Sequence, residues 1–301
     1  MTETGRVTSS VAAPRALVTA LRPRQWVKNV LVAAAPLAAG RLGERSVALD
    51  TVLAFLLFCL AASSVYLAND VVDAPADRAH PTKHTRPVAA GTLSVPVAVT
   101  ASAVLAVLAV VSPLFLDRPR LALTVAVYLA LGHAYNAGLK HQRVLDMSIV
   151  SGLFVLRAIG GGVAADLPLS RWFLIVASFG SLFMVAGKRY SELSVMGDGA
   201  AMTRRSLAGY SPSYLRFVWS IAAAVTITAY CLWAFEVGDR AGAVPWGPLS
   251  VAPFVVALLR FALDIDGGAA GAPEEIALRD RVLLSLGAIW LLVFSLGAFH
   301  V

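Results

Sequence analysis

Between Asn69 and Gly91 the chain reads NDVVDAPADRAHPTKHTRPVAAG, and here residue types and spacing first point to chemistry. In a helix over Asn69–Asp77, Asn69, Asp73 and Asp77 recur every four residues. Asp70 falls beside them, because residues three and four apart share a helix face. Carboxylates gathered so closely repel one another unless something positive sits between them. Hard oxygen ligands of this kind suit Mg2+ carrying a phosphate-bearing substrate, so Asn69, Asp70, Asp73 and Asp77 are the candidate metal ligands. Asp73 and Asp77 are the candidates closest to the chemistry. A few residues on, Lys83 and Arg86 are placed to hold further phosphate charge. Pro75 removes one backbone donor and is expected to bend the helix.

Other polar residues stand alone among apolar runs. Lys28 lies in an entry segment, LRPRQWVKN, whose Trp26 reads as an interfacial anchor. Tyr135 and Lys140 close one apolar run, and Arg143 follows; Lys140 and Arg143 serve equally well as topology charges. Arg157 differs, because an arginine well inside a span is costly and must face a cavity or a partner. It joins the candidate catalytic group, reaching a phosphate or one of the motif acids. Asp146, about three turns away on the same helix, is too distant to be assumed its partner. Gly160–Gly162 reads as close helix packing. His80 and His84 lack the companions of a transition-metal site.

These residues sit on elements that composition makes plain. The chain is 58% hydrophobic and only 14% charged, where a soluble domain would carry about a quarter charged residues. Its apolar runs are long enough to cross a bilayer, which takes about 20 helical residues. Short alternating strands of a barrel are not visible. Nine spans are expected, near Val27–Ala39, Leu49–Ala68, Val95–Leu114, Leu121–Gly138, Leu145–Ala164, Trp172–Ala186, Tyr214–Phe235, Leu249–Leu263 and Val282–Phe299. The first and sixth are short. The fold class is therefore all-α, a polytopic membrane helix bundle with polar cap loops. Residues 1–20 read as a disordered leader and 21–301 as one domain. No short apolar core before a cleavage site marks a signal peptide.

Basic residues flank the spans in a ratio of about three to one when the amino terminus and the loops Asp70–Ser94, Gly187–Ser213 and Asp264–Arg281 are placed in the cytoplasm. That is the orientation the positive-inside rule favours. The net charge of +7 is explained by this bias and by anionic lipid, not by nucleic acid. Cys59 and Cys231 lie within apolar segments and show no disulfide or metal pattern. Arg260 is expected to snorkel to the interface. Glu274, Glu275, Asp280 and Arg281 read as a solvated connection.

NDVVDAPADR resembles the first aspartate-rich motif, NDxxDxxxD, of the UbiA prenyltransferase superfamily. That resemblance implies a nine-helix bundle whose cytoplasmic caps bind a diphosphate through Mg2+. RPRQWVKN, the HPTKHTRPVAAG continuation and the later loops extend it over most of the chain. The continuation, with GKRYSE, RRSL and YSPSYLRF, is similar to the branch that attaches phosphoribose to a polyprenyl phosphate for arabinan cell-wall synthesis. Members that use a prenyl diphosphate carry a second aspartate-rich motif after the sixth span. Here that place holds GKRYSELSVMGDGAAMTRRSLAGYS, with Lys188, Arg189, Tyr190 and Glu192 but no pair of aspartates at the required spacing. Lys188, Arg189, Arg204 and Arg205 suit a second anion other than a diphosphate, and also fit positive-inside anchoring.

The reaction so implied moves 5-phosphoribose from 5-phosphoribosyl 1-diphosphate to a polyprenyl phosphate at the cytoplasmic face of the cell membrane. Substrate-binding candidates are Lys28, Lys83, Arg86, Tyr135, Lys140, Lys188, Arg189, Tyr190 and Glu192, with the division between 5-phosphate and lipid phosphate left open. The same superfamily offers prenyl transfer to an aromatic acceptor as the alternative. A transporter is disfavoured, since ionisable residues gather at one face and not at several depths. Isoprenoid length, the number of Mg2+ ions and oligomeric state, a homo-oligomer included, stay open.

Overall fold

The computed structural model describes residues 12–196, 209–238, 244–268, 270–271 and 280–299. The elements are α1 (Ala12–Leu21), a 3₁₀ segment (Pro23–Ala33), α2 (Ala34–Ala38), α3 (Arg45–Arg78), α4 (Val95–Phe115) and α5 (Pro119–Ala137). There follow α6 (Leu145–Ala164), α7 (Arg171–Met196), α8 (Pro212–Gly238), α9 (Trp246–Asp266) and α10 (Arg281–Ala298). No strand occurs among the described residues. Seven of these helices, α3, α4 and α6 to α10, are long and apolar enough to cross a membrane. With α5 and the Pro23–Ala38 segment, the described residues hold nine helical segments in the expected order.

The first of the nine is not an α-helix through most of its length. Eleven residues of 3₁₀ helix followed by five of α reach about 30 Å, since 3₁₀ rises about 2.0 Å per residue. A segment too short as an α-helix thus approaches the thickness of the hydrocarbon core. Arg22, at φ 54° and followed by Pro23, separates this segment from α1, as a residue before proline is pushed out of the α region. Pro75 does not end α3, which continues to Arg78.

By contacts the chain divides into two compact units, Met1–Val30 with Leu53–Ala137, and Leu31–Val52 with Gly138–Val301. In the first, α1 corrects the expectation of a disordered leader: Ala16 and Ala20, one turn apart, are buried against Leu67, Ala74, Val88, Leu93 and Ala98. Residues 1–11 of that leader lie outside the described residues. Trp26 Nε1 donates to Ser63 Oγ at 3.1 Å, and Ser63 Oγ to the Leu21 carbonyl at 3.0 Å. The 3₁₀ segment is therefore fastened to α3, and Trp26 is one of the residues that fasten it. Ser64 and Ser102 each donate to the other's carbonyl at 2.9 Å, joining α3 to α4. Asn136 Nδ2 donates to the Val65 carbonyl at 3.0 Å, joining α5 to α3.

In the second unit α7 packs on α6, α8 and α9, and α9 on α10. Met147, Phe183, Ala186, Leu215, Phe261 and Ile265 form its core. Gly161 is required, because a Cβ there would stand 1.7 Å from the Val32 carbonyl oxygen. Trp290 Nε1 donates to the Tyr230 hydroxyl at 2.7 Å, which lies 2.7 Å from Ser250 Oγ; Ser250 donates on to the Gly247 carbonyl at 2.6 Å. Every polar atom in that chain is satisfied, as burial in an apolar bundle demands.

Candidate functional site

The first polar cluster belongs to the carboxyl-terminal turns of α3. At 3.6 residues per turn, Asn69, Asp70, Asp73 and Asp77 span about a third of the helix circumference. Asp70 and Asp77 are buried, while Asn69 and Asp73 are half-buried. The positive group required beside these acids is supplied by the chain itself. Arg86 Nη1 donates to Asp77 Oδ2 at 2.7 Å and stands 3.6 Å from Asp70 Oδ1. Arg22 donates to Asp70 Oδ1 from the junction of α1 and the 3₁₀ segment, and its guanidinium lies 5.1 Å from the Tyr66 ring. Lys83 opens a short 3₁₀ turn, Lys83–Thr85. His80 Nδ1 accepts the backbone N–H groups of Thr82 and Lys83, so this histidine shapes the loop. Lys28 and Tyr135 are half-buried on the 3₁₀ segment and on α5.

Among the described residues, no three His, Cys, Asp or Glu side chains converge as a metal cage. The donor set nevertheless fits a hard cation: Asp70 Oδ2 is buried without a hydrogen-bond partner, a costly state for a carboxylate oxygen. An ion taken up by these acids meets the two arginines already bound to them.

The second cluster joins the start of α6, the end of α7 and the start of α8. Asp146, in the first turn of α6, is only 1% exposed. Its Oδ1 accepts the Tyr210 hydroxyl at 2.5 Å, and its Oδ2 lies 3.5 Å from Arg189 Nη2. Tyr210 also accepts the Val144 N–H at 2.6 Å, where Val144 stands at φ 67°. Burial first, then the bond to Asp146, pushes the Tyr210 hydroxyl above its ordinary pKa, so it remains a donor. Gly209 makes room for Arg143, whose Nε a Cβ would approach to 2.1 Å. Arg189 also meets Glu192 at 3.3 Å. Sequence reasoning assigned Arg189 and Glu192 to substrate and left Asp146 without a partner; here the three form one group.

Tyr190 is likewise engaged, its hydroxyl accepting Arg216 Nη2 at 2.6 Å and lying 3.3 Å from Asp266 Oδ1. Lys188 and Lys140 are half-buried. Arg157 is buried in α6, donates to the Leu153 carbonyl at 2.8 Å and lies 5.3 Å from the Phe154 ring. Phe154 in turn lines an apolar cavity of about 210 Å³ with Leu31, Ala158, Ala177, Tyr230, Phe254 and Trp290 among its walls. Arg260 is more than a snorkelling residue: its Nε donates to Asp280 at 2.8 Å, and Asp280 caps α10 through the N–H groups of Val282 and Leu283. That guanidinium holds the Asp280 carboxyl below its ordinary range. Arg204, Arg205, Glu274 and Glu275 lie outside the described residues.

Arg22, Asp146 and Tyr210 belong to these two clusters without being among the residues that the sequence singled out. Arg22 looked like one topology charge among several. Asp146 carried a faint signal, an acid in the first turn of a span, where a helix N-terminus favours negative charge.

The sequence that folds into this helical bundle has a counterpart among known families. The model of the UbiA prenyltransferase family matches residues 30–274, and the chain belongs to that family. It is 52% identical over 287 residues to the decaprenyl-phosphate phosphoribosyltransferase of Mycolicibacterium smegmatis, covering 91% of this chain and 90% of the relative. The enzyme of that name from Corynebacterium glutamicum is 46% identical, over 94% of this chain and 86% of its own. Among solved structures, a UbiA homologue from Archaeoglobus fulgidus bound to DMAPP and Mg2+ has a TM-score of 0.71 at 17% identity, covering 95% of this chain and 99% of that one. At that identity the likeness speaks for the fold alone.

Proposed function

We propose that the protein is an integral-membrane phosphoribosyltransferase that moves 5-phosphoribose from 5-phosphoribosyl 1-diphosphate to a polyprenyl phosphate, yielding a lipid precursor for arabinan. The observation that carries this reading is the 52% identity, over nine-tenths of both chains, to a relative named for that reaction. The absence of a second aspartate-rich motif after α7, the sixth of the nine spans, supports it. There, Arg189 is set between Asp146 and Glu192.

Asp73 and Asp77, with Asn69 and Asp70 completing or orienting the shell, would hold Mg2+, which when bound neutralises charge on the departing diphosphate. Lys83 and Arg86 take phosphate oxygens of the donor, with Lys28, Tyr135, Lys140 and Arg157 as further contacts. Lys188, Arg189, Tyr190 and Glu192 serve the 5-phosphate or the lipid phosphate. The bond from C1 to the diphosphate oxygen breaks through an oxocarbenium-like state. A phosphate oxygen of the acceptor forms the new C1–O bond from the opposite face, inverting C1. The acceptor is already anionic, so no strong base is needed. The work is to hold two anions in register, which explains a surplus of Lys and Arg around few acids. The first isoprene units of the lipid lie in the apolar cavity and the rest of the chain in the bilayer, and the acidic end of α3 faces the cytoplasm.

The test uses full-length protein in detergent with Mg2+, 5-phosphoribosyl 1-diphosphate and decaprenyl phosphate, the lipid product being identified by mass spectrometry. Lipid-linked phosphoribose is expected. No such product, with turnover of a prenyl diphosphate and an aromatic acceptor instead, would overturn the reading.

A further inference from the structure

Two arginines neutralise the buried acids of α3 in this structure. Asp70 and Asp77 contribute two negative charges, Arg22 and Arg86 two positive ones. The acids lie beneath: the Asp70 side chain is 1% exposed, whereas Arg22 and Arg86 keep 26% and 25% of theirs. Arg22 is held there by the fold. α1 is packed down through Ala16 and Ala20, Arg22 itself stands at φ 54°, and Tyr66 lies alongside its guanidinium. Meanwhile Asp70 Oδ2 remains buried without a hydrogen-bond partner. The carboxylate is thus held by arginine at Oδ1 and left unpartnered at Oδ2.

We infer that Arg22 is a resident counter-cation for Asp70, a positioning residue that competes with the divalent ion until a diphosphate arrives. This rests on the metal–diphosphate reading above and adds a coupling to it. A cation reaching Asp70 alone must displace a charge-assisted bond and strand a guanidinium. A cation arriving with a diphosphate brings the anion that can accept the displaced arginine. Metal and diphosphate therefore bind with positive, reciprocal linkage.

The experiment measures Mn2+ binding by electron paramagnetic resonance on full-length protein in detergent, with and without inorganic diphosphate. In the wild type, diphosphate is expected to raise Mn2+ affinity. Arg22→Gln is expected to raise the diphosphate-free affinity about tenfold, the scale of one hydrogen bond to a charged group, and to shrink the linkage correspondingly. Arg22→Lys, which keeps the charge but not the fork, gives a smaller gain. In an Asp70→Asn background, Arg22→Gln changes nothing. A gain in affinity cannot come from misfolding. An unchanged diphosphate-free affinity in Arg22→Gln, or the same gain with Asp70→Asn present, would overturn the inference. Failure of every form to bind Mn2+, even with diphosphate, would instead overturn the metal reading on which it stands.

Discussion

At the scale of single residues, the buried acids Asp70, Asp77 and Asp146 each face an arginine. Asp77 carries Arg86, and in the proposed reaction it would help to hold the Mg2+ that neutralises charge on the diphosphate. Asp77→Asn, or Asp73→Asn, keeps the side-chain shape and removes the charge. Each is expected to lower kcat by about 10²–10³, as loss of one electrostatic stabiliser does, in the same lipid-product assay. Tyr210 makes a different prediction. Tyr210→Phe leaves Asp146 Oδ1 buried without its donor, which costs about 1–3 kcal/mol and lowers the unfolding midpoint in detergent. The hydroxyl's pKa is raised by burial and by Asp146. A raised folded pKa means that this stability is whole below pH about 10 and wanes as pH climbs past it. Unfolding midpoints from pH 7 to 11 should therefore fall more steeply at the alkaline end in the wild type than in Tyr210→Phe. The Asp146–Tyr210 contact could not be read from the sequence: the two are 64 residues apart, and no periodicity links them. The aspartates of α3 were legible because a single helix gathers them.

Among the elements, the long helices were written in the length of their apolar runs. The 3₁₀ geometry of Pro23–Ala33 was not, since apolar content does not distinguish 3₁₀ from α, and the bonds that tie it to α3 join residues 30 and 37 apart. Gly160–Gly162 did announce close packing, and Gly161 makes it quantitative. Gly161→Ala places a methyl group on the Val32 carbonyl and should destabilise the protein by about 1–3 kcal/mol, the usual cost of overpacking. Thermal unfolding in detergent checks it. The aromatic cavity was invisible in the sequence, because its walls come from the 3₁₀ segment, α2 and five further helices. If the first isoprene units lie there, Ala177→Phe should raise KM for decaprenyl phosphate about tenfold. KM for geranyl phosphate, which buries fewer methylenes, should change less. Equal changes for both acceptors would place the chain elsewhere.

For the whole molecule, the sequence predicts sidedness and the family supplies a precedent for the chemistry. The orientation argued from the basic loops puts His80–Thr85 in the cytoplasm. In a variant with Cys59 and Cys231 replaced by Ser, a single cysteine at exposed Thr82 should be blocked by a membrane-impermeant thiol reagent only after the membrane is opened. A single cysteine at exposed Phe115 should react in intact cells. Reversal of that pattern would turn the bundle over. The central claim, however, is the donor. One reaction mixture containing 5-phosphoribosyl 1-diphosphate and geranyl diphosphate at equal concentration, with decaprenyl phosphate and an aromatic acceptor both present, tests it most directly. The account predicts that lipid-linked phosphoribose is formed and that the prenyl diphosphate survives. Prenylated aromatic product with the phosphoribosyl donor untouched would contradict it.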